Sequence, residues 1–398
     1  QGATAVAIGH DAGKSLQVAN AVAVGNSAGQ YTQGAQGVAL GYVAGRTTQG
    51  DNSVAIGNSA GNSAQGARSV AIGYTSGLTT QGASSIAIGN SAGTTTQGDS
   101  TVAVGNSAGN NTQGDNSVAI GNSAGSTTQS GWAVAIGNAT GQQSQGQSSV
   151  AIGDTAAQVS QGASSVAIGV EAGKTTQGTN AVAVGDSAGS YAQGGAAVAI
   201  GHDAGGDTQG DYGVGVGYAA GATTQGASAV AVGISAGQTS QGINATALGK
   251  SAGKTTQGNS SVAVGASAGE TTQGANAVAI GKNAAASGQG TNAVAVGNQA
   301  GETAQGTSSV AIGIRAGETN QGSNGVIING TGLALDDATA GHIHIASGGA
   351  SIDYTITNGW QITDSLAGVG RLFTLEALQF QLAASTDFAD FQSRIAAL

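Results

Sequence analysis

The chain has no proline, cysteine or methionine among its 398 residues, and only 3% aromatic and 8% charged side chains. Without cysteine there are no disulfides and no thiolate metal sites. Absent proline suits a backbone in which nearly every N–H is donated into a ladder, because proline has none to give. So few aromatic residues exclude an ordinary aromatic-rich core. The net charge of −10 comes from scattered acids without a Lys/Arg cluster, which argues against nucleic acid as a partner. No apolar run approaches the roughly 18 residues that would cross a membrane as a helix.

What is abundant is glycine, 73 residues of it, and it recurs on a fixed period. A 16-residue unit close to Val-Ala-Ile-Gly-Asn-Ser-Ala-Gly-x-Thr-Thr-Gln-Gly-x-x-Ser runs without insertion or deletion to about Gly330, its first glycine falling at Gly9, Gly25, Gly41 and on to Gly313. Such a period means a stacked architecture in which each unit is buried only against its neighbours. The expected organisation is a repeat solenoid rod over 1–330 and a distinct cap or tip over 331–398. Gln1-Gly2 already stand in repeat phase, so N-terminal processing or an upstream region is expected.

Within a unit, Ser53-Val54-Ala55-Ile56 alternates β-branched residues with alanine, the period-2 pattern of a strand with one apolar face. The Val54/Ile56 face is expected to be buried along the whole rod. Asn58-Ser59-Ala60-Gly61 is turn chemistry, Thr-Thr-Gln a second and more polar strand, and the next glycine closes the coil. Stacking at about 4.8 Å per coil predicts a rod of about 100 Å. Glutamine holds one phase from Gln1 and Gln17 to Gln321 without exception, as a continuous ladder of side-chain amides along the axis would require. Charges such as Lys14, Arg46, Asp51, Lys174 and Glu318 avoid the apolar strand and mark solvent-facing turns. A core this thin predicts burial against further copies of the chain, with the near-constant Ala60 position as the small residue at the contact.

The Ser-Val-Ala-Ile-Gly strand followed by Asn-Ser-Ala-Gly, as at Ser53–Gly61, Ser117–Gly125 and Ser165–Gly173, resembles the head repeats of YadA-type trimeric autotransporter adhesins, which also occur in bacteriophage tail fibres. The resemblance implies an all-β, left-handed parallel β-roll and a homotrimer, a handedness the period itself does not supply. It implies a structural fibre and attachment protein, extracellular, whose partners are its own copies, a larger virion or surface assembly, and a glycan or protein receptor on a host cell. The residues after Gly330 are too few for a long coiled-coil stalk and a membrane-anchoring barrel, so a virion tail fibre is expected ahead of a bacterial adhesin head.

Candidate functional residues lie where the period fails, after Asn329. His342 and His344 share one side of an expected strand. The pattern resembles the His-x-His iron sites at the tips of trimeric phage fibres; three chains would bring six imidazoles together, a ligand set suited to iron or another transition metal. Solvent-facing histidines are the alternative reading. Tyr354 and Trp360 are candidates for stacking on a receptor sugar. Phe388, Phe391, Ile395 and Leu398, spaced like a helical seam after Ser385-Thr386-Asp387, predict a short trimerising helix. No catalytic set is expected. Asp336 and Asp337 are adjacent and cannot oppose each other on one strand face, and Gly249-Lys250-Ser251 lacks the upstream glycine of a phosphate-binding loop. A glycan-cleaving tailspike and an ice-binding solenoid remain lesser alternatives; the second is disfavoured because adjacent threonines such as Thr47-Thr48 are expected on opposite faces.

Overall fold

A computed structural model describes residues 1–348, 350–355 and 359–364, all strand, turn and bend, without a helix among them. The chain divides into two compact units, Gln1–Tyr212 and Gly213–Leu398.

The first unit is a parallel β-solenoid whose coils are one repeat long. Each coil has a three-residue strand such as Val54–Ile56 and a two-residue strand such as Thr48–Gln49. Both pair in parallel with the residues 16 further on: Val54 with Val70, Ala55 with Ala71, Ile56 with Ile72, and Gln49 with Gln65. Strands this short cannot hold together alone, and the ladder between coils supplies what length does not. Corners are made by left-handed residues, with Asn52 (φ 57°) before the longer strand and Ser59 (φ 58°) after it; Asn and Ser tolerate this region better than most. Gly57 (φ 127°) is obligatory, since a Cβ there would lie 2.4 Å from the carbonyl oxygen of Gly73 in the next coil.

The alternation of the longer strand is as expected, but its polarity is reversed. Ala55 points into the coil and is fully buried, as are Ala23, Ala39, Ala71 and Ala87 at the same phase. Val54 and Ile56 point outward and are only half-buried in one chain. Two strands separated by two tight corners leave an interior wide enough for methyl groups, so the larger side chains are turned out. The Ala60 position is likewise interior, fully buried and packed with Ala55, Ala44 and Ala71 rather than set on an outer contact. Where Ser76 and Thr140 replace it, each hydroxyl donates to a glycine carbonyl, of Gly73 and Gly153.

The glutamine column also lies inside. Gln49 Nε2 donates across the coil to the carbonyl of Val38 (2.8 Å) and to that of Ser53 (3.4 Å). Its Oε1 sits where a Cβ on Gly45 would come within 2.8 Å, which ties the Ala-Gly dipeptide to the glutamine four residues later. The expected ladder is partial. Amide-to-amide bonds link Gln161, Gln177, Gln193 and Gln209 at 3.1–3.2 Å. From Gln17 to Gln145 each Oε1 is buried without a hydrogen-bond partner.

The second unit repeats this plan from Val214–Val216 to Val310–Gly313. Its shorter strand thins to single bridges, Gln273–Gln289–Gln305–Gln321, where Gly288 and Ala304 replace the usual threonine. Its glutamine amides bond in two runs, Gln225 to Gln257 and Gln273 to Gln321. After Val326–Asn329 the parallel ladder takes one more strand, Ile343–Ser347. The direction then reverses, and Ala350–Thr355 and Gly359–Asp364 add on antiparallel. The inward position gives a direct test: Ala119→Leu is expected to destabilise its own and adjacent coils by about 1–3 kcal/mol through overpacking, read as loss of amide-exchange protection around Val102–Val104 and Val134–Ile136.

Candidate functional site

Asn329 makes the transition from coil to tip. It stands at the phase glycine fills elsewhere, is buried, and donates from Nδ2 to the carbonyls of Ile314 (2.8 Å) and Leu333 (2.6 Å). Its Oδ1 accepts from the backbone N–H (2.9 Å) and hydroxyl (2.6 Å) of Thr331. One side chain thus ties together the turn that leaves the last regular coil, while the strand it belongs to still pairs in parallel with Ile343–Ser347.

His344 lies on the strand Ile343–Ser347 that pairs with Val326–Asn329, and His342 immediately precedes it. The backbone of His344 is placed between the buried Ile327 on one side and Asp353 on the other. Its Nδ1 meets Asp353 Oδ1 at 2.7 Å, and His342 Nδ1 is in close contact with Asp337 Oδ2. The rings stand edge to face, 6.3 Å between centroids, as side chains two apart on a strand should. Asp353 is further held by the Ser351 hydroxyl (3.0 Å) and Asp337 by accepting from the backbone N–H of Thr339 (2.9 Å). Each imidazole therefore has Nδ1 beside a carboxylate, but Asp337 Oδ2, His342 Nδ1 and Asp353 Oδ1 make no hydrogen bond among the described residues. His342 Nε2 is buried without a hydrogen-bond partner. Among the described residues of one chain, no three His, Cys, Asp or Glu side chains converge on a metal position.

Tyr354 and Trp360, singled out separately in the sequence, are brought opposite each other by the antiparallel pairing of their strands. Phe388, Phe391, Ile395, Leu398 and the expected short helix lie outside the described residues. Asp336 and Asp337 are drawn apart: Asp336 accepts from the backbone N–H and hydroxyl of Thr319 while Asp337 faces His342. Thr47 and Thr48 are both exposed, contrary to the opposite faces expected of them, because Thr47 occupies a bend before the strand and Gln49 is the inward residue. The resulting hydroxyl columns are broken by Ala64 and Ala192.

Coils of one repeated length, parallel ladders and an interior of alanine, serine and glutamine define a parallel β-solenoid repeat protein. Three stretches of it, residues 49–76, 97–124 and 273–300, match the family model described as the YadA head domain repeat (2 copies). The chain carries this repeat in both of its units. No curated protein and no solved structure matches the chain. None of the helices required for a helical membrane span is present among the described residues.

Removing one carboxylate tests the tip. Asp353→Ala removes the acceptor of the Ser351 hydroxyl and the acid beside His344; it is expected to cost about 0.5–1.5 kcal/mol, as for one hydrogen bond, and to appear as faster amide exchange across Ile343–Ser347 while the coils keep their protection.

Proposed function

We propose that the chain is the structural and attachment component of a homotrimeric extracellular fibre, a bacteriophage tail fibre, in which the coils act as a spacer and the tip meets the receptor or locks the trimer. The supporting observation is the outward aliphatic stripe. At the Val54 and Ile56 phases nearly every coil turns out valine, isoleucine or leucine, never a charge, and Ile88, Ile120, Ile168 and Ile200 stand more than a third exposed in one chain. Contiguous apolar surface on this scale marks an interface. The same stripe on every copy is covered symmetrically when identical chains associate about an axis parallel to the stacking direction, and the YadA-type repeat supports three of them.

The small β-tip that follows the last coil favours a virion fibre over the head of a bacterial trimeric adhesin, whose repeats lead into a stalk. We assign no enzymatic role: the repeated coils offer no singular constellation, and among the described tip acids Asp336 is taken up by Thr319 while Asp337 and Asp353 lie beside His342 and His344. Tyr354 and Trp360 are the proposed receptor contacts, facing a host glycan or protein. At the three-fold axis His342 and His344 of three chains would hold an iron or similar transition-metal ion, supplying a cross-link between chains rather than chemistry.

Sedimentation equilibrium is expected to give three times the 37.4 kDa chain mass; a monomeric mass for the folded chain would overturn the trimer. Ile120→Glu, on the outer face, is expected to lower trimer mass to that of the single chain at micromolar concentration without unfolding the coils, unlike the inward Ala119→Leu. Elemental analysis is expected to find one metal per three chains, lost in His342→Ala/His344→Ala. Genes for tail assembly beside this one support the virion assignment; genes for secretion and anchoring support the bacterial surface.

A further inference from the structure

One corner of the first unit carries a row of side chains unlike any other in the molecule. At the position after the Gly57-type glycine stand Tyr42, Asn58, Tyr74, Asn90, Asn106 and Asn122 in successive coils. Their backbones are locked one above the next: the carbonyls of Tyr42, Asn58, Tyr74, Asn90 and Asn106 accept from the N–H of Ser59, Thr75, Ser91, Ser107 and Ser123 at 2.8–2.9 Å. The row therefore advances by about 4.8 Å per coil, and the two tyrosines stand about 10 Å apart.

The asparagines are oriented. Ser59, Ser91, Ser107 and Ser123 each donate to the Oδ1 of the preceding asparagine, at 2.8–3.0 Å. With its acceptor end held by the protein, each amide turns its Nδ2, a pair of donors, away from it, and these Nδ2 groups make no hydrogen bond among the described residues. The row ends at Asn138, whose Nδ2 is taken up by Asp154 Oδ1 at 3.0 Å. Tyr42 and Tyr74 are each 57% exposed. No charged side chain occurs in Gly57–Ser63, Gly73–Thr79, Gly89–Thr95, Gly105–Asn111 or Gly121–Thr127; in the matching segment Gly41–Thr47 the one charge is Arg46, which donates to Gln30 Oε1 (3.0 Å) and lies over the Tyr31 ring.

A ligand for this corner must be long, neutral, rich in acceptor oxygens, and flat at intervals that match the tyrosines. A pyranose in an extended, equatorially linked chain occupies close to the length of one coil and presents C–H faces on which an aromatic ring stacks. We propose that the Tyr42–Asn122 corner binds an extended, uncharged, equatorially linked polysaccharide laid along the stacking direction. Tyr42 and Tyr74 stack on two sugars separated by a third, and the amides of Asn58, Asn90, Asn106 and Asn122 donate to hydroxyl and ring oxygens. This places glycan binding on the coils, apart from the tip, and does not depend on which particle carries the fibre.

Native gel electrophoresis of the full chain through hydroxyethylcellulose, dextran and polygalacturonate tests it. Retardation by hydroxyethylcellulose alone is expected. Tyr42→Ala/Tyr74→Ala is expected to bind about tenfold more weakly, as loss of two ring contacts implies, and Asn106→Ala to weaken binding less. Tyr218→Ala, at the same phase in the second unit, is expected to bind as the unaltered chain does. No retardation of the unaltered chain, equal binding by the double variant, or preference for the polyuronate would each overturn the proposal. The sedimentation mass of the same samples reports separately on the trimer.

Discussion

Everything in the coil depends on how little fits inside it. Two short strands joined by tight corners enclose a channel that takes alanine methyls and one glutamine amide per turn, with a serine hydroxyl in some turns, as at Ser53, and alanine in its place in others, as at Ala133. The glutamine is the member without a substitute. Its Nε2 reaches from the shorter strand to a carbonyl of the longer one eleven residues earlier, so it braces the two walls against each other. A shorter amide would not span the gap, and an aliphatic side chain would leave a buried carbonyl unpaired, a cost of about 1–3 kcal/mol. The glycine four residues before it, and the alanines lining the channel, follow from making room for that amide.

With the interior fixed, the outside is free to vary by column. Each phase of the repeat projects a row of side chains along the stacking direction, and each row has its own chemistry. The valine and isoleucine rows are apolar but for Thr246, the threonine row is exposed and mostly polar, and acids and bases keep to the corners. Asp51, Asp99 and Asp211 show how a corner row can assist the backbone, each accepting from the N–H of the residue one coil earlier. Pairs such as Lys174 with Glu171 (2.7 Å) remain local to one corner, where the hydrogen bond to Glu171 raises the lysine pKa.

The period and the residues of both strands were legible in the sequence because they depend on local alternation and on the spacing of glycine. The direction of that alternation was not. Val54 and Ile56 read as a core face because β-branched residues in strands usually are, and only the narrowness of a two-strand coil turns them outward. Gln49 read as a solvated or laddered residue because nothing in its neighbours reveals the carbonyl of Val38 across the channel. At the tip His342 and His344 were conspicuous, but their partners were hidden. Asp353 reaches His344 through an antiparallel pairing, and Asp337 reaches His342 from the preceding segment, neither of which leaves a local pattern.

Asn329 marks where the regular coils give way to the tip. Every coil leaves the next one an open edge of backbone donors and acceptors, so the fold has no intrinsic length and any number of repeats is as satisfied as any other. Each coil adds the same step of about 4.8 Å to its stack, so reach follows repeat number alone, and a stretch of such coils measures distance the way a ruler does.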